Sequence, residues 1–410
     1  MSRPKVLTFS TLYPSSVRPG HGIFVETRLR ELLKTGGIES KVVAPVPWFP
    51  SRAERWGDKA RMARTPGMEV RHGITVLHPR YPVLPKVGMT LAPLLLALGA
   101  RGSLRRVIDE GFDFDVIDAH YYYPDGVAAA MLGAWFGKPV TVTARGTDIN
   151  LIPNYRAPRR LLQWAAARVD ASIGVSAALV DRMRVLGFDP SRLHVMRNGV
   201  DLERFRCWDQ ARMRAELGVD GAPLLLTVGN LHEHKGQRLV LEALSQLREH
   251  RPEAKLLVIG EGPDLPVLRS MAEQRGVADA VRFVGTVPNE ELARWYSAAD
   301  VLLLASSREG WPNVLLESMA CGTPVVVTDV GGVREIVLTA TAGRIVPQRT
   351  APALAEAVLG LLAPAPERAA VRAEAERFGW QRTSLDQLHL FQRLASSAPL
   401  QWPVGRQSDC

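Results

Sequence analysis

Short apolar runs recur along this chain, separated by longer stretches in which apolar positions return at helical spacing. Runs at 6–10, 41–44, 74–77, 116–119, 140–143, 171–174 and 194–196 read as strands, and 23–34 reads as a helix after a glycine-containing loop. Strands of this length that are apolar on both faces fit a parallel sheet covered by crossover helices. The alternation predicts an α/β fold with a doubly wound sheet.

The pattern begins afresh after the turn signal Arg197-Asn198-Gly199. Strands are expected at 224–228, 256–259, 300–305 and 324–327, and helices at 238–249 and 313–320. A length of 410 residues suits two domains, each with its own core. The expected division is 1–198, 199–379, a last helix at 380–395 with the stripe Leu385, Leu388, Phe391 and Leu394, and a flexible tail at 396–410.

One stretch, 306–335, reads SSREGWPNVLLESMACGTPVVVTDVGGVRE. Pro312 suits the first position of a helix that Gly322 stops, and a glycine turn and a further helix follow the strand. Glu309 precedes the helix and Glu317 lies about one turn beyond Asn313. Free amides at a helix start favour an anion such as phosphate, and a carboxylate one turn in accepts hydrogen bonds from sugar hydroxyls. A nucleotide sugar carries both groups. The bland alternative makes both glutamates solvated surface residues, but Val314, Leu315, Leu316, Met319 and Ala320 leave this helix little polar surface.

Other candidates sit where strands end. Gly20 and Gly22 lie in the loop after the first strand and allow a close backbone approach to a diphosphate, although Gly-His-Gly also fits a tight turn. His120 and Tyr121 follow one strand, and Arg145-Gly146-Thr147-Asp148 follows another. His120 is either a satisfied structural histidine or an acceptor-site residue. In GNLHEHKGQ, Lys235 at a helix start can neutralise a leaving phosphate, while His232 and His234 lack a third ligand and make no convincing metal site. Gly262 closes the following strand, where the chain can pass under a nucleobase.

The segment from Glu309 to Glu317, with the Gly-Thr-Pro-Val-Val-Val strand and the Gly331-Gly332 turn in register behind it, resembles the Glu, seven residues, Glu signature of the retaining glycosyltransferases of family 4, group 1. That resemblance implies a GT-B fold: two Rossmann-like doubly wound domains facing a cleft, with a C-terminal helix crossing back to the first domain. It places the nucleotide-sugar donor mainly on the second domain and the acceptor on the first. Donor contacts are implied for Gly20, Gly22, Asn230, Lys235, Gly262, Glu309, Gly310, Trp311, Asn313, Val314 and Glu317, and acceptor-side positions for His120, Tyr121, Arg145 and Asp148. Catalytic roles fall on Glu309, Lys235, His120 and Arg145. The resemblance further implies retention at the anomeric carbon, no metal, and no cofactor beyond the nucleotide diphosphate sugar as co-substrate. The chain departs from the family pattern at three places: His21 separates a usual glycine pair, Asn230 stands where an arginine is common, and Arg145 stands where many members have a histidine. Arginine does not act as a base at neutral pH, so Arg145 is suited only to stabilising charge or holding an anion.

Charge adds a direction. The net charge is +9, and residues 1–198 carry about +12 against about −3 for the remainder. Basic clusters at Arg52, Arg55, Lys59, Arg61 and Arg64, at Arg101, Arg105 and Arg106, and at Arg156, Arg159 and Arg160 suit anionic lipid or a diphosphate-linked acceptor, with solvated helix faces as the alternative. No nucleic-acid module accompanies them, and nucleic acid is not an expected partner. An interrupted apolar stretch at 83–98 is too short to span a bilayer and either dips into one or packs as core. Three scattered cysteines and an N-terminus without a cleavage site point to the cytoplasm, with peripheral attachment to the cytoplasmic face of the inner membrane. The expected partners are a nucleotide-sugar donor, a lipid-linked or saccharide acceptor, and an anionic membrane surface. The rival readings are a GT-B nucleotide-sugar 2-epimerase and a non-catalytic sugar-nucleotide-binding partner. A dinucleotide oxidoreductase is disfavoured, because neither glycine loop fits its fingerprint.

Overall fold

The computed structural model describes residues 3–84 and 88–396. Lys86 and, from residue 397, the expected tail lie outside the described residues. The chain divides into two compact units, one of Met1–Arg197 and Gln381–Cys410, the other of Asn198–Trp380.

The first unit holds strands β1 (Lys5–Phe9), β2 (Glu39–Val43), β3 (Val46–Pro47), β4 (Met68–Arg71), β5 (Ile74–Leu77), β6 (Arg80–Tyr81), β7 (Val116–His120), β8 (Val140–Ala144), β9 (Ala171–Gly174) and β10 (Leu193–Val195). Eight of them form one sheet in the order β10-β9-β8-β7-β1-β2-β5-β4, and β3 pairs with β6 apart from it. The sheet is parallel except at its edge, where β4 runs antiparallel to β5. That departure from an all-parallel sheet has a local cause. His72 and Gly73 both take left-handed backbone angles, φ 51 and φ 80, which is the geometry of a tight two-residue hairpin.

Helix α1 (Ile23–Leu33) lays Val25, Leu29 and Leu32 against Val6, Val42 and Val116 of the sheet. Leu388 and Phe391 of the C-terminal helix, Trp380–Ser396, join the same core. Leu385, expected in the buried stripe, is instead exposed, and Ser384 and Gln387 are buried. The buried face of this helix is turned towards a polar partner, because Arg28 of α1 donates from Nε to Gln387 Oε1 at 2.9 Å.

After the short helix α2 (Asp58–Ala63), residues 88–98 of the apolar stretch form the first half of a 22-residue helix, α3 (Gly88–Asp109), that runs through Pro93. Proline has no amide to give the carbonyl four residues earlier, and that carbonyl, of Met89, accepts the Tyr123 hydroxyl instead. Among the described residues no helix is long and apolar enough to cross a membrane.

The second unit carries β11 (Leu224–Val228), β12 (Lys255–Ile259), β13 (Val281–Gly285), β14 (Val301–Leu304), β15 (Val325–Thr328) and β16 (Gly343–Val346) in the order β13-β12-β11-β14-β15-β16, all parallel. Helices α4 (Gln237–His250) and α5 (Asn313–Ala320) follow β11 and β14. Leu225, Leu256, Val301 and Val326 pack with Val240, Leu244 and Leu247 of α4 in one buried cluster. Pro312 caps α5 from outside, with ψ 92, and is not its first helical residue. The segment after β15 makes only a short 3-10 turn, Gly331–Glu335, where a longer helix was expected.

Candidate active site

In the second unit the strand order reverses between β11 and β14. Ligands of open parallel sheets gather beyond the carboxyl ends of the strands at such a point. The loop after β11 supplies Asn230 and Lys235, and the loop after β14 supplies Glu309 and Gly310. Lys235 Nζ donates to Glu309 Oε1 at 2.7 Å, and Ser306 Oγ donates to the same oxygen at 2.7 Å. The pair is largely shielded but still open to solvent, with side-chain exposures of 25% and 10%.

Two glycines allow this approach. Gly236, beside Lys235, has φ 76, and a β-carbon there would stand 2.0 Å from the Ala305 carbonyl oxygen. Gly331 has φ 54, and its β-carbon would stand 2.0 Å from the Glu309 carbonyl oxygen. Backbone therefore closes on the Glu309 loop from two sides, and Ser307 N adds a hydrogen bond to His234 O at 2.8 Å.

At the head of α5, Asn313 Oδ1 accepts from Asn198 Nδ2 at 3.2 Å. Gly310 is buried, Val314 is half-buried, and buried Trp311 packs beside Phe378 with ring centroids 6.1 Å apart. Glu317 Oε2 accepts the Tyr296 hydroxyl at 2.8 Å. Burial pushes the Glu317 carboxyl up to about 7, although the Tyr296 bond and the charge of Arg204 pull the other way. Asn230 is exposed, and its carbonyl accepts from Gln237 Nε2 at 3.2 Å. A β-carbon at Gly262 would meet the Leu231 carbonyl oxygen at 2.2 Å, so the loop after β12 lies directly against the one after β11. The rings of His232 and His234 stack 5.8 Å apart, and among the described residues no group of three His, Cys, Asp or Glu side chains is placed to hold a metal.

The first unit has its own reversal, between β1 and β7. Asp125, after β7, accepts from Thr11 N at 2.7 Å and Thr11 Oγ1 at 2.9 Å, tying the two flanking loops together. Gly22 caps α1 at φ 62, where a β-carbon would overlap the Leu12 carbonyl oxygen, whereas Gly20 stands in open space.

His120 is buried, with both ring nitrogens engaged. Nε2 lies 3.1 Å from Asp118 Oδ2, and Nδ1 lies 2.5 Å from Arg145 Nη2. Because guanidinium only donates, Nδ1 is the acceptor and Nε2 carries the proton. Burial lowers the His120 pKa to about 4, against the pull of Asp118, so the ring is neutral at pH 7. Burial also lowers Arg145 to about 9, which leaves it cationic, and its guanidinium lies 5.0 Å from the Phe24 ring centroid. Asp148 is buried and spends its carboxylate on backbone amides, accepting from Tyr122 N at 2.6 Å and Gly146 N at 2.7 Å. Tyr121 is partly exposed and takes φ 82, a strained angle for a non-glycine residue. Of the four acceptor-side candidates, Arg145 and Tyr121 are partly exposed, and His120 and Asp148 are buried and each hydrogen-bonded to Arg145.

Comparison with known proteins decides the family. Residues 209–378 match the model of glycosyl transferases group 1, and residues 20–204 match that of Glycosyltransferase Family 4. TuaC of Bacillus subtilis (strain 168), a glycosyltransferase named for teichuronic acid biosynthesis, is 31% identical over 361 residues, covering 86% of this chain and 88% of TuaC. The chain belongs to the group 1 glycosyltransferases. A D-inositol 3-phosphate glycosyltransferase of Frankia alni is 32% identical over 310 residues, covering 70% of this chain and 75% of its own. Among solved structures, sucrose-phosphate synthase from Thermosynechococcus elongatus superposes with a TM-score of 0.78 at 21% identity, covering 96% of this chain and 99% of its own. HepE of Anabaena, solved with UDP-glucose, gives 0.70 at 18% identity, covering 95% and 99%. These likenesses establish the GT-B fold.

Several residues of this glycosyltransferase that build the site carry little signal in the sequence. Ser306 orients Glu309, Tyr296 holds Glu317 from 21 positions away, and Thr11 and Asp125 join two loops 114 positions apart. Only Gly236 had a local cue, a glycine directly after Lys235 at a loop-to-helix junction.

Proposed function

We propose that this glycosyltransferase moves a sugar, with retention, from a nucleotide diphosphate sugar to an acceptor hydroxyl in the assembly of a cell-surface or extracellular polysaccharide. The observation that carries the reading is the Lys235–Glu309 pair at the strand-order reversal. Lys235 neutralises the leaving diphosphate as charge develops, and the free amides at the start of α5 add to it. Glu309, held by Ser306 and by backbone on both sides, positions the donor sugar, and Glu317 accepts from the ribose hydroxyls. Arg145 holds an anionic group of the acceptor, with His120 fixing its orientation. The acceptor attacks from the face the diphosphate leaves, and a phosphate oxygen takes its proton. Lys235 counters the diphosphate charge in place of a metal ion, and turnover is accordingly insensitive to chelator.

A cell-surface polymer is supported by the naming of TuaC for teichuronic acid biosynthesis, and a uridine diphosphate donor by the UDP-glucose complex of HepE. The acceptor is lipid-linked or saccharide, met at the cytoplasmic face of the membrane. The test is a panel of radiolabelled nucleotide sugars, with and without membrane lipid extract, following label transfer and nucleotide release in wild type, Lys235→Ala and Glu309→Gln. Transfer of one donor, lost in both variants, is the expected result. Interconversion of free donor without acceptor, or tight donor binding without turnover, would replace the reading with the epimerase or the binding partner.

A further inference from the structure

We propose that the first unit docks on an anionic bilayer through the outer stripe of α3 and the aromatic, basic segment that packs beside it. This deepens the reading of a membrane-borne acceptor, and rests on it, by assigning the surface that makes contact.

Helix α3 is apolar on two sides. Leu96, Ala100, Leu104 and Val107 are fully buried and account for one side. On the other, Leu91, Leu94 and Leu98 are exposed by 38%, 40% and 51%. Spacings of three and four continue that outer stripe into Arg101 and Arg105, both exposed. The stripe is thus leucine for its first two turns and arginine for its next two. A helix with a second apolar face left in water signals a partner for that face.

The neighbouring segment has matching chemistry. Trp48 and Trp56 are exposed by 58% and 47%, and the Arg55 guanidinium and Lys59 ammonium lie 5.8 Å from the rings of Trp56 and Phe49. This segment is fixed to α3 through β6. Trp48 N donates to Tyr81 O at 2.8 Å, Arg80 Nη1 donates to Met62 O at 3.1 Å, and at Gly99 of α3 a β-carbon would stand 2.7 Å from the Arg80 carbonyl oxygen. Among the described residues Arg55, Lys59, Arg101 and Arg105 form no ion pair.

Tryptophan and leucine with unpaired arginine and lysine at their margin match the layers of a membrane interface, where rings and aliphatic chains enter the acyl boundary and cations meet lipid phosphates. The cations favour anionic lipid over a second copy of this basic unit, which would bring like charges together.

The full chain would be sedimented with vesicles of phosphatidylcholine alone and of equal parts phosphatidylcholine and phosphatidylglycerol. Wild type is expected to bind the anionic vesicles. A Leu91→Ser, Leu94→Ser, Leu98→Ser variant should bind about tenfold more weakly, and Arg101→Ser with Arg105→Ser should weaken the preference for anionic lipid, about fivefold per charge at low salt, with Arg55 and Lys59 holding the remainder. All five positions are exposed, and unchanged thermal melting would show that the variants fold. Absence of vesicle binding, or binding indifferent to both variants, overturns the proposal. So does a dimer in size-exclusion chromatography that the leucine variant dissolves, since a second copy would then be the occupant. Lys235→Ala should bind vesicles like wild type. Vesicle binding without sugar transfer would sink the proposed function and leave the surface standing, and transfer to detergent-solubilised acceptor without vesicle binding would do the reverse.

Discussion

Lys235 and Glu309, 74 positions apart, meet through a 2.7 Å ion pair whose carboxylate oxygen also accepts from Ser306. On the proposed reading the lysine is held before the diphosphate arrives, and the carboxylate keeps the Ser306 bond when the lysine turns to that ligand. Lys235→Ala should lower kcat by roughly 10²–10³-fold, in the range for loss of one charge-stabilising group. Its thermal stability should change little, because a pair still open to solvent contributes modestly. Steady-state transfer assays beside thermal melting separate the two. A large fall in melting temperature with intact kcat would make the pair structural.

Glu317 should give donor binding a pH dependence. With its pKa raised to about 7 by burial, the carboxyl is protonated below that pH and becomes a charged acceptor above it. Affinity for the intact nucleotide sugar, whose diphosphate does not titrate there, should tighten severalfold from about pH 6 to about pH 8. Glu317→Gln should flatten the curve. Tyr296→Phe removes a bond that favours the charged form, and should move the midpoint to higher pH. Calorimetric titration across that range reads all three, and a flat wild-type curve would show that Glu317 does not meet the donor.

Asp125 carries the same logic into stability. It is fully buried, and burial outweighs its bonds to Thr11 and Ser10, raising its pKa to about 7. Between the ordinary carboxyl range and about 7 the folded chain keeps a proton that the unfolded chain has released. Stability therefore falls as pH rises through that window and levels off above it, by roughly 2–4 kcal/mol in all. Asp125→Asn should melt with a shallower dependence on pH and retain the smaller slope that Glu317 contributes. Equal slopes in the variant and wild type would mean that Asp125 ionises normally.

The sheets were legible because buried parallel strands are apolar on both faces and separated by helix-length stretches. The strands at 74–77, 171–174 and 224–228 have the predicted bounds, and most others differ by a residue or two. Edge strand β4 was missed because Met68-Glu69-Val70-Arg71 alternates polarity and was too short to stand out, although the His72-Gly73 turn was a usable cue. Glu309 and Lys235 could be singled out because they lie at loop-to-helix junctions, and Glu317 because it is a carboxylate one turn into a helix with little other polar surface. Their partners could not, since Ser306, Tyr296 and Gln387 are ordinary residue types whose meaning lies in long-range packing. Leu385 shows the converse error: apolar periodicity put it on the inner face, but the buried face carries Gln387, whose Oε1 accepts from Arg28.

The buried polar chain through Gln387 makes a sharper test of the first unit. Arg28 donates to Gln387 Oε1 at 2.9 Å, Gln387 Nε2 donates to Asp118 Oδ2 at 3.1 Å, and Asp118 holds His120 beneath Arg145. Arg28 is fully buried, and its charge is one of the influences favouring ionised Asp118. Arg28→Ala removes the fully buried cation linked to that carboxylate through Gln387 and opens a cavity, and should cost about 3–5 kcal/mol in chemical denaturation. Gln387→Leu removes both amide contacts while keeping similar volume. It should cost less in stability but loosen His120, and a raised His120 pKa followed by NMR would report it. An unchanged His120 resonance in Gln387→Leu would show that the C-terminal helix contributes packing alone.

Gly236→Ala asks whether backbone, and not only charge, sets the Lys235–Glu309 geometry. A β-carbon there would lie 2.0 Å from the Ala305 carbonyl oxygen and would also have to accept φ 76. The obstructing atom is backbone at the end of β14, so no side chain can swing aside to relieve it. Relief must come from moving the loop after β11 away from β14, and with it Lys235 away from Glu309. The variant should lose roughly 1–3 kcal/mol of stability from strain, and its kcat should fall at least tenfold even at saturating donor, because a displacement of about 1 Å is enough to spoil positioning. Donor KM should rise less than kcat falls, since Glu317 and the start of α5 are untouched. Stability loss with full kcat would show that the pair re-forms without the glycine, and would place the control of its geometry in Ser306 instead.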